Sequence, residues 1–185
     1  MSKKIGILCT LCVMLTMNLF SQDQVKKNII GFGAGICPAR KVYVGGLGWV
    51  DINVSPVIQV FCTRQVLQAV RLGSYFEYEN AKFKDTNDKA ARYNMGFSWL
   101  AQYPDKPFHA QLGGYFGYGF VKTNNWDQSL GGIDYGIIIG PAYEKNSLGI
   151  ALHVQSGYCY YTSSGAPDEV SYSKGRFLLK VYYKF

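Results

Sequence analysis

The sequence predicts an all-β protein: an eight-stranded, antiparallel, up-and-down barrel that crosses a membrane with its strands. Three observations carry that expectation. The chain ends in "RFLLKVYYKF", where Phe177, Leu179, Val181, Tyr183 and Phe185 share one face and Arg176, Leu178, Lys180, Tyr182 and Lys184 the other. A period of two marks a strand whose faces meet different surroundings, and the same period recurs in seven upstream segments. The connections between those segments alternate short and long, as in an up-and-down barrel with tight turns at one end and loops at the other. Composition agrees, with 15 Tyr, 11 Phe and 21 Gly in 185 residues: aromatics favour strands, and glycine inside strands marks close approach or curvature.

The N-terminus reads as a separate unit. Lys3 and Lys4 precede the apolar run "IGILCTLCVMLTMNLF", and Ser21 supplies a small residue before polar sequence resumes. That layout predicts a cleaved signal peptide over residues 1–21, since the apolar run of 16 residues is short for a spanning helix, which needs about 20. Residues 22–185 are then the barrel domain. Removing Lys3 and Lys4 lowers the net charge from +7 to +5, and the basic residues are scattered, which argues against a nucleic-acid partner. Cys37, Cys62 and Cys159 remain, an odd number with neither disulfide-framework nor zinc spacing.

The strands follow in order. "NIIGFGAGIC" sets Ile30, Phe32 and Ile36 against glycines; "WVDINVSPVIQVF", read as one strand, sets Val50, Ile52, Ile58 and Val60 against Trp49, Asp51, Ser55 and Gln59. "VLQAVRLGSYFEYE" sets Leu72, Phe76 and Tyr78 against Arg71, Tyr75, Glu77 and Glu79; "ARYNMGFSWLAQY" sets Tyr93, Phe97 and Trp99 against Arg92 and Asn94. "FHAQLGGYFGYGF", "GIDYGIIIGPAYE" and "LGIALHVQSGYCYY" repeat the pattern, with His109, Gln111, Asp134, Glu144, His153, Gln155 and Cys159 on the polar side. Short turns are expected at "CTRQ", "YPDKP" and "EKNS", and longer loops at "PARKVYVGGL", "NAKFKDTNDK", "VKTNNWDQS" and "TSSGAPDEVS".

The two faces decide between a lipid-facing barrel and a soluble one. The apolar face of these strands carries no Lys, Arg, Asp or Glu, while the other mixes glycine with charges of both signs. An eight-strand barrel has room inside only for interdigitating side chains, and buried charges must be paired. The sequence therefore predicts an apolar exterior against lipid and a lumen polar network of Arg71, Glu77, Arg92, Asp134, His153 and Lys180, without cofactor or metal. Cys37 and Cys159 fall on the lumen side about two strands apart, roughly 9–10 Å at strand spacing, too far for a disulfide.

A signal peptide, eight such strands and the aromatic ending "LKVYYKF" resemble the small outer-membrane β-barrel proteins of Gram-negative bacteria, of the OmpX type and the OmpA transmembrane-domain type. The resemblance covers the mature chain. It implies an outer-membrane location, outer-membrane lipid as surroundings, a monomeric barrel, and a C-terminal aromatic signal, here Tyr183 and Phe185, read by the barrel-assembly machinery. Among related barrels are lipid A deacylases that pair His and Ser as H-x-S on one strand face; here His153 and Ser156 are three apart and fall on opposite faces. The expected role is non-catalytic: envelope structure, or binding and adhesion through four outer loops, with Trp126 in "NNWDQ" as a candidate contact for an extracellular ligand. The rival readings are a lipid-modifying enzyme and a secreted soluble barrel for a small apolar ligand.

Overall fold

A computed structural model describes residues 28–45, 48–67, 69–84, 88–102, 106–123, 130–162 and 169–185. The expected signal peptide and Trp126 lie outside these residues. The described chain forms ten strands: β1 (Asn28–Cys37), β2 (Arg40–Val44), β3 (Gly48–Ile52), β4 (Ser55–Leu67), β5 (Val70–Lys82), β6 (Lys89–Gln102), β7 (Phe108–Thr123), β8 (Leu130–Lys145), β9 (Leu148–Thr162) and β10 (Glu169–Lys184). All pairings are antiparallel. Eight strands run β1-β4-β5-β6-β7-β8-β9-β10, and β1 pairs with β10 from Ile29↔Lys184 to Ile36↔Phe177. The sheet closes on itself, so no backbone edge is left unpaired along the ring.

The two additional strands continue the wall upward. Beyond Cys37 the chain steps across Pro38 and Ala39 into β2, which pairs with β10 at Val170↔Val44 and Ser171↔Tyr43. Its hairpin partner β3 meets the end of β5 through an Ile52↔Phe83 bridge and the 2.9 Å backbone hydrogen bonds from Asn53 N to Lys82 O and from Lys84 N to Asp51 O. At the loop end β2 and β3 therefore stand where β1 and β4 stand at the turn end. The wall has eight strands at both levels.

This arrangement corrects the reading of "WVDINVSPVIQVF" as one strand, and of "PARKVYVGGL" as loop. In β1 and β4 the interior residues have odd numbers (Ile29, Cys37, Ser55, Val57, Gln59); in β2 and β3 they have even numbers (Val42, Val44, Ile52). Both strands change parity at the same height, around 38–39 and 53–54, and an inserted residue swaps every later side chain to the other face. Ile52 accordingly points inward, while Trp49, expected inside, is 67 % exposed. "CTRQ" is likewise strand, not turn: Thr63 and Arg64 are buried within β4, a bulge falls between Gln65 and Leu67, and the reversal follows Leu67. At "EKNS" Asn146 adopts φ 55° in the two-residue turn joining Lys145 to Leu148, a left-handed conformation that Asn tolerates well.

Large apolar side chains cover the exterior, including Ile30, Phe32, Ile58, Phe97, Trp99, Phe116, Ile137, Leu152 and Val181. On a water-soluble protein such a continuous surface would be far larger than the apolar patches monomers normally expose.

Candidate functional site

The side chains able to do chemistry are gathered inside the barrel, because strand alternation sends every second residue of eight strands to one axis. From the turn end inward, Glu144 comes first. Arg71 holds it in a two-pronged contact at 2.6 and 2.9 Å, Lys184 Nζ lies 2.6 Å away, and Tyr182 OH donates to it at 2.6 Å. Tyr182 can lie there because Gly149 faces it: a Cβ at Gly149 would stand 2.1 Å from the Tyr182 ring. His109, next to this group, has its Nδ1 3.0 Å from Lys106 O and its Nε2 3.9 Å from Glu144.

An amide layer follows. His153 Nε2 lies 2.7 Å from Gln111 Oε1, the geometry of an Nε2–H donor, and Gln111 Nε2 donates to Gln102 Oε1 at 3.2 Å. Lys180 is buried with its ammonium 4.7 Å from the Phe61 ring centre. A cavity of about 20 Å³ lies among Gln59, Gln155, His153, Lys180 and Tyr115. Gln59 Oε1, Gln155 Oε1, His153 Nδ1 and Tyr115 OH have no protein partner. A space of that size and polarity suits a single water.

The middle of the barrel is an ionic layer. Arg92 reaches three carboxylates: its Nε is 2.9 Å from Glu79, its Nη1 is 2.8 Å from Asp134, and its Nη2 contacts Glu77. Arg176 also binds Glu77, Lys174 binds Asp134, and Arg40 binds Glu79 beside Ser55. Asn94 donates to Asp134 at 2.6 Å and Gln59 to Glu77 at 3.2 Å. Four cations thus meet three carboxylates, and Arg176 also lies 4.8 Å from the Tyr115 ring, a favourable place for a guanidinium. Glycine again opens the space: a Cβ at Gly157 would stand 2.4 Å from Tyr115 OH.

Above this layer the interior changes character. Val42, Val44, Ile52, Ala81, Ala90, Val121, Leu130, Tyr161, Val170 and Tyr172 form one buried apolar cluster. A cavity of about 30 Å³ lies within it and reaches down to Arg40, Glu79 and Arg92. The buried charges therefore lie from the ionic layer to the turn end, where they share the lumen with a second apolar cluster that includes Ile29, Phe61, Leu100 and Ile138.

The structure buries Arg71, Glu77, Arg92, Asp134, His153 and Lys180. It brings Glu77, Arg92 and Asp134 into one cluster, joins Arg71 to Glu144 instead, and leaves His153 and Lys180 in the amide layer. Sequence reasoning left Arg40, Glu79, Lys174 and Arg176 out of the network. Extending the alternation of "RFLLKVYYKF" upstream puts Lys174 and Tyr172 in line with Arg176, and that signal was available. Arg40 sits beyond the parity change, where no such signal exists. Tyr183 and Phe185 lie on the outer face with their rings stacked, centres 6.3 Å apart. Cys37 and Cys159 are buried and Cys62 exposed, all as free thiols. Among the described residues no group of three His, Cys, Asp or Glu side chains could hold a metal ion. His153 and Ser156 face opposite sides of β9.

No protein-family model matches the chain, and no characterised protein matches it by sequence. Among solved structures it is similar to Neisserial surface protein A, with 17 % identity and a TM-score of 0.59 over 88 % of this chain and 100 % of that one. It is also similar to Ail, the attachment invasion locus protein of Yersinia pestis, with 13 % identity and a TM-score of 0.51 over 88 % and 100 %. Likeness at these identities is likeness of architecture, and it agrees with the closed ring and apolar exterior described above. The chain has the fold of the small eight-stranded outer-membrane β-barrels.

Proposed function

We propose that this protein is a non-catalytic outer-membrane barrel that works as an envelope-structural element or surface-binding protein and does not conduct solutes. The observation that carries the reading is the filled interior. An ionic layer and an apolar cluster lie in series along the axis, and the cavities beside them, about 20 and 30 Å³, are each of water size. An ion would have to separate Arg92 from three carboxylates and then pass an apolar plug. The exterior supports the membrane setting, since its exposed Ile, Leu, Val and Phe side chains suit hydrocarbon.

In this reading the short turns face the periplasm and the four longer connections face outward, available for binding or adhesion. Ail, whose name records attachment and invasion, has the same architecture. Tyr183 and Phe185, half or more exposed on the closing strand, serve as the assembly signal. The lipid-modifying alternative draws no support from β9, where His153 is enclosed in the lumen and Ser156 faces outward.

Planar-bilayer recording of the refolded full chain tests the proposal. The expected outcome is no steady conductance from protein whose folding is verified by a mobility difference between unheated and boiled SDS samples. A reproducible porin-like open state from such protein would refute the filled-lumen reading.

A further inference from the structure

Among the described residues, the outward surface near the loop end gathers its lysines on one side of the barrel. On β5, β6 and β7 the outward residues at that end are Lys82, Lys89 and Lys122, and Lys84 is exposed just beyond β5. Lys82 stands directly opposite Lys89, while Lys122 stands opposite Ala91, two residues along β6 from Lys89. Like charges placed directly across a strand pair repel. Among the described acids nearby, Asp51 faces Lys41 across the β2–β3 pair. On the opposite side of the barrel the corresponding level carries Tyr160, which donates to Glu169 at 3.1 Å.

Height on the barrel identifies what can neutralise this arc. Tyr78 and Tyr93 are cross-strand partners with ring centres 5.2 Å apart, and Tyr118 and Phe120 pack at 5.3 Å. Such outward aromatics mark the membrane–water boundary. Lys82 and Lys89 lie four residues beyond Tyr78 and Tyr93, and Lys122 lies two beyond Phe120. At about 3.3 Å per residue and a tilt of roughly 45°, the ammoniums stand about 5–10 Å above the aromatic level. That is the depth of lipid phosphates, within about one Debye length of them.

We infer that the β5–β7 arc is a binding surface for phosphorylated lipid headgroups of the outer leaflet, a conclusion that rests on the membrane reading above. Three or four lysines at this depth provide multivalent attraction for a lipid carrying more than one negative charge, and phosphate oxygens would relieve the Lys82–Lys89 repulsion. The adjacent tyrosines give the same lipid's glycerol or sugar region a flat polar-edged surface. A soluble polyanion would meet the lysines only from the side, with the aromatic level already in the membrane.

Spin-label spectroscopy on the refolded full chain in phosphatidylcholine vesicles tests this. Trace spin-labelled phosphatidylcholine first reports a motionally restricted boundary shell, which reads membrane insertion alone. Spin-labelled phosphatidic acid is then compared with it. The expected result is a selectivity of about threefold or more for the phosphatidic acid label, falling towards one in the Lys82→Gln/Lys89→Gln/Lys122→Gln variant and unchanged in Lys41→Gln. All three replaced residues are exposed, and the SDS mobility shift checks folding; the single variant Lys122→Glu, expected to lower selectivity measurably, serves if the triple variant does not fold. Equal selectivity in wild type and variants overturns the inference while leaving insertion intact. Loss of wild-type selectivity on adding millimolar inorganic phosphate, or tight binding of a soluble sulfated polysaccharide that removes it, overturns it in favour of a water-phase anion.

Discussion

The two halves of the interior are built differently by the same wall: one mixes buried charges with apolar side chains such as Ile29, Phe61, Leu100 and Ile138, the other is almost wholly apolar. Towards the turn end the lumen is held by Arg92, Arg176, Lys174 and Arg40 around Glu77, Glu79 and Asp134. Towards the loop end it is filled by Val42, Val44, Ile52, Val121, Tyr161 and Tyr172. The first half sits where the outer surface must face hydrocarbon, so the sheet there has apolar residues outside and its polar residues inside. The second half reaches up to the lysines at the ends of β5–β7, where the outside can be polar and an apolar interior is the ordinary arrangement. The parity changes at 38–39 and 53–54 are the device that makes the exchange for two strands at once. A barrel can therefore be inside-out at one level and right side-in at the next without losing a hydrogen-bonded neighbour.

The contrast is broken most severely by removing one carboxylate from the ionic layer. Glu77 accepts from Arg92, Arg176 and Gln59 and is fully buried. Glu77→Ala leaves two guanidiniums short of a partner in a space that cannot hydrate them, and should cost roughly 3–5 kcal/mol. Equilibrium urea unfolding in lipid vesicles, followed by the SDS mobility shift, measures it. If the same experiment on Glu77→Leu/Arg176→Leu recovers none of the loss, the layer is stabilising through net pair energy, and the cost assigned here to stranded charge is misplaced.

The apolar half should respond less, and locally. Ile52 is 6 % exposed and joins β3 to the rest of the wall through Phe83. Ile52→Ala removes packing and leaves a void, which typically costs about 2–4 kcal/mol. Because β2 and β3 meet the barrel through a short stretch of β10 and the Ile52–Phe83 bridge with its flanking backbone hydrogen bonds, the loss should appear as faster amide hydrogen exchange over residues 40–52 with β7–β9 unaffected. Uniform acceleration through all strands would show that the two halves unfold as one unit.

How much of this was legible depends on what a period of two can carry. In β7, β8, β9 and β10 the alternation runs unbroken, so the sequence alone places Leu112, Ile137, Leu152 and Val181 outward and Gln111, Asp134 and His153 inward. It could not report the steps at 38–39 and 53–54, because a bulge changes the phase of a pattern without changing its composition. Trp49 was misplaced for that reason. "CTRQ" reads as a turn because polar residues cluster there, yet Thr63 is an inward residue of β4 and the bulge falls two residues later, between Gln65 and Leu67. Pairing partners were out of reach for a different reason: Arg176 and Glu77 are 99 positions apart, and only closure of the ring makes them neighbours.

The finest test of the contrast lies within the polar half, at a site with no charge pair. His153 is buried, its Nε2 is aimed at Gln111 Oε1 at 2.7 Å, and its Nδ1 faces the water-sized cavity without a protein partner. Gln supplies an N–H donor of similar reach and an oxygen that a cavity water can satisfy. His153→Gln should therefore change stability by less than about 1 kcal/mol in the same urea titration. His153→Leu keeps comparable bulk but offers Gln111 Oε1 no donor, and should cost about 1–3 kcal/mol, the range for stranding a buried polar atom. The order of the two variants is what matters. A Leu variant as stable as the Gln variant would mean that the amide layer is held by packing, as the loop-end cluster is, and the chemical boundary inside the barrel would then lie at the ionic layer alone.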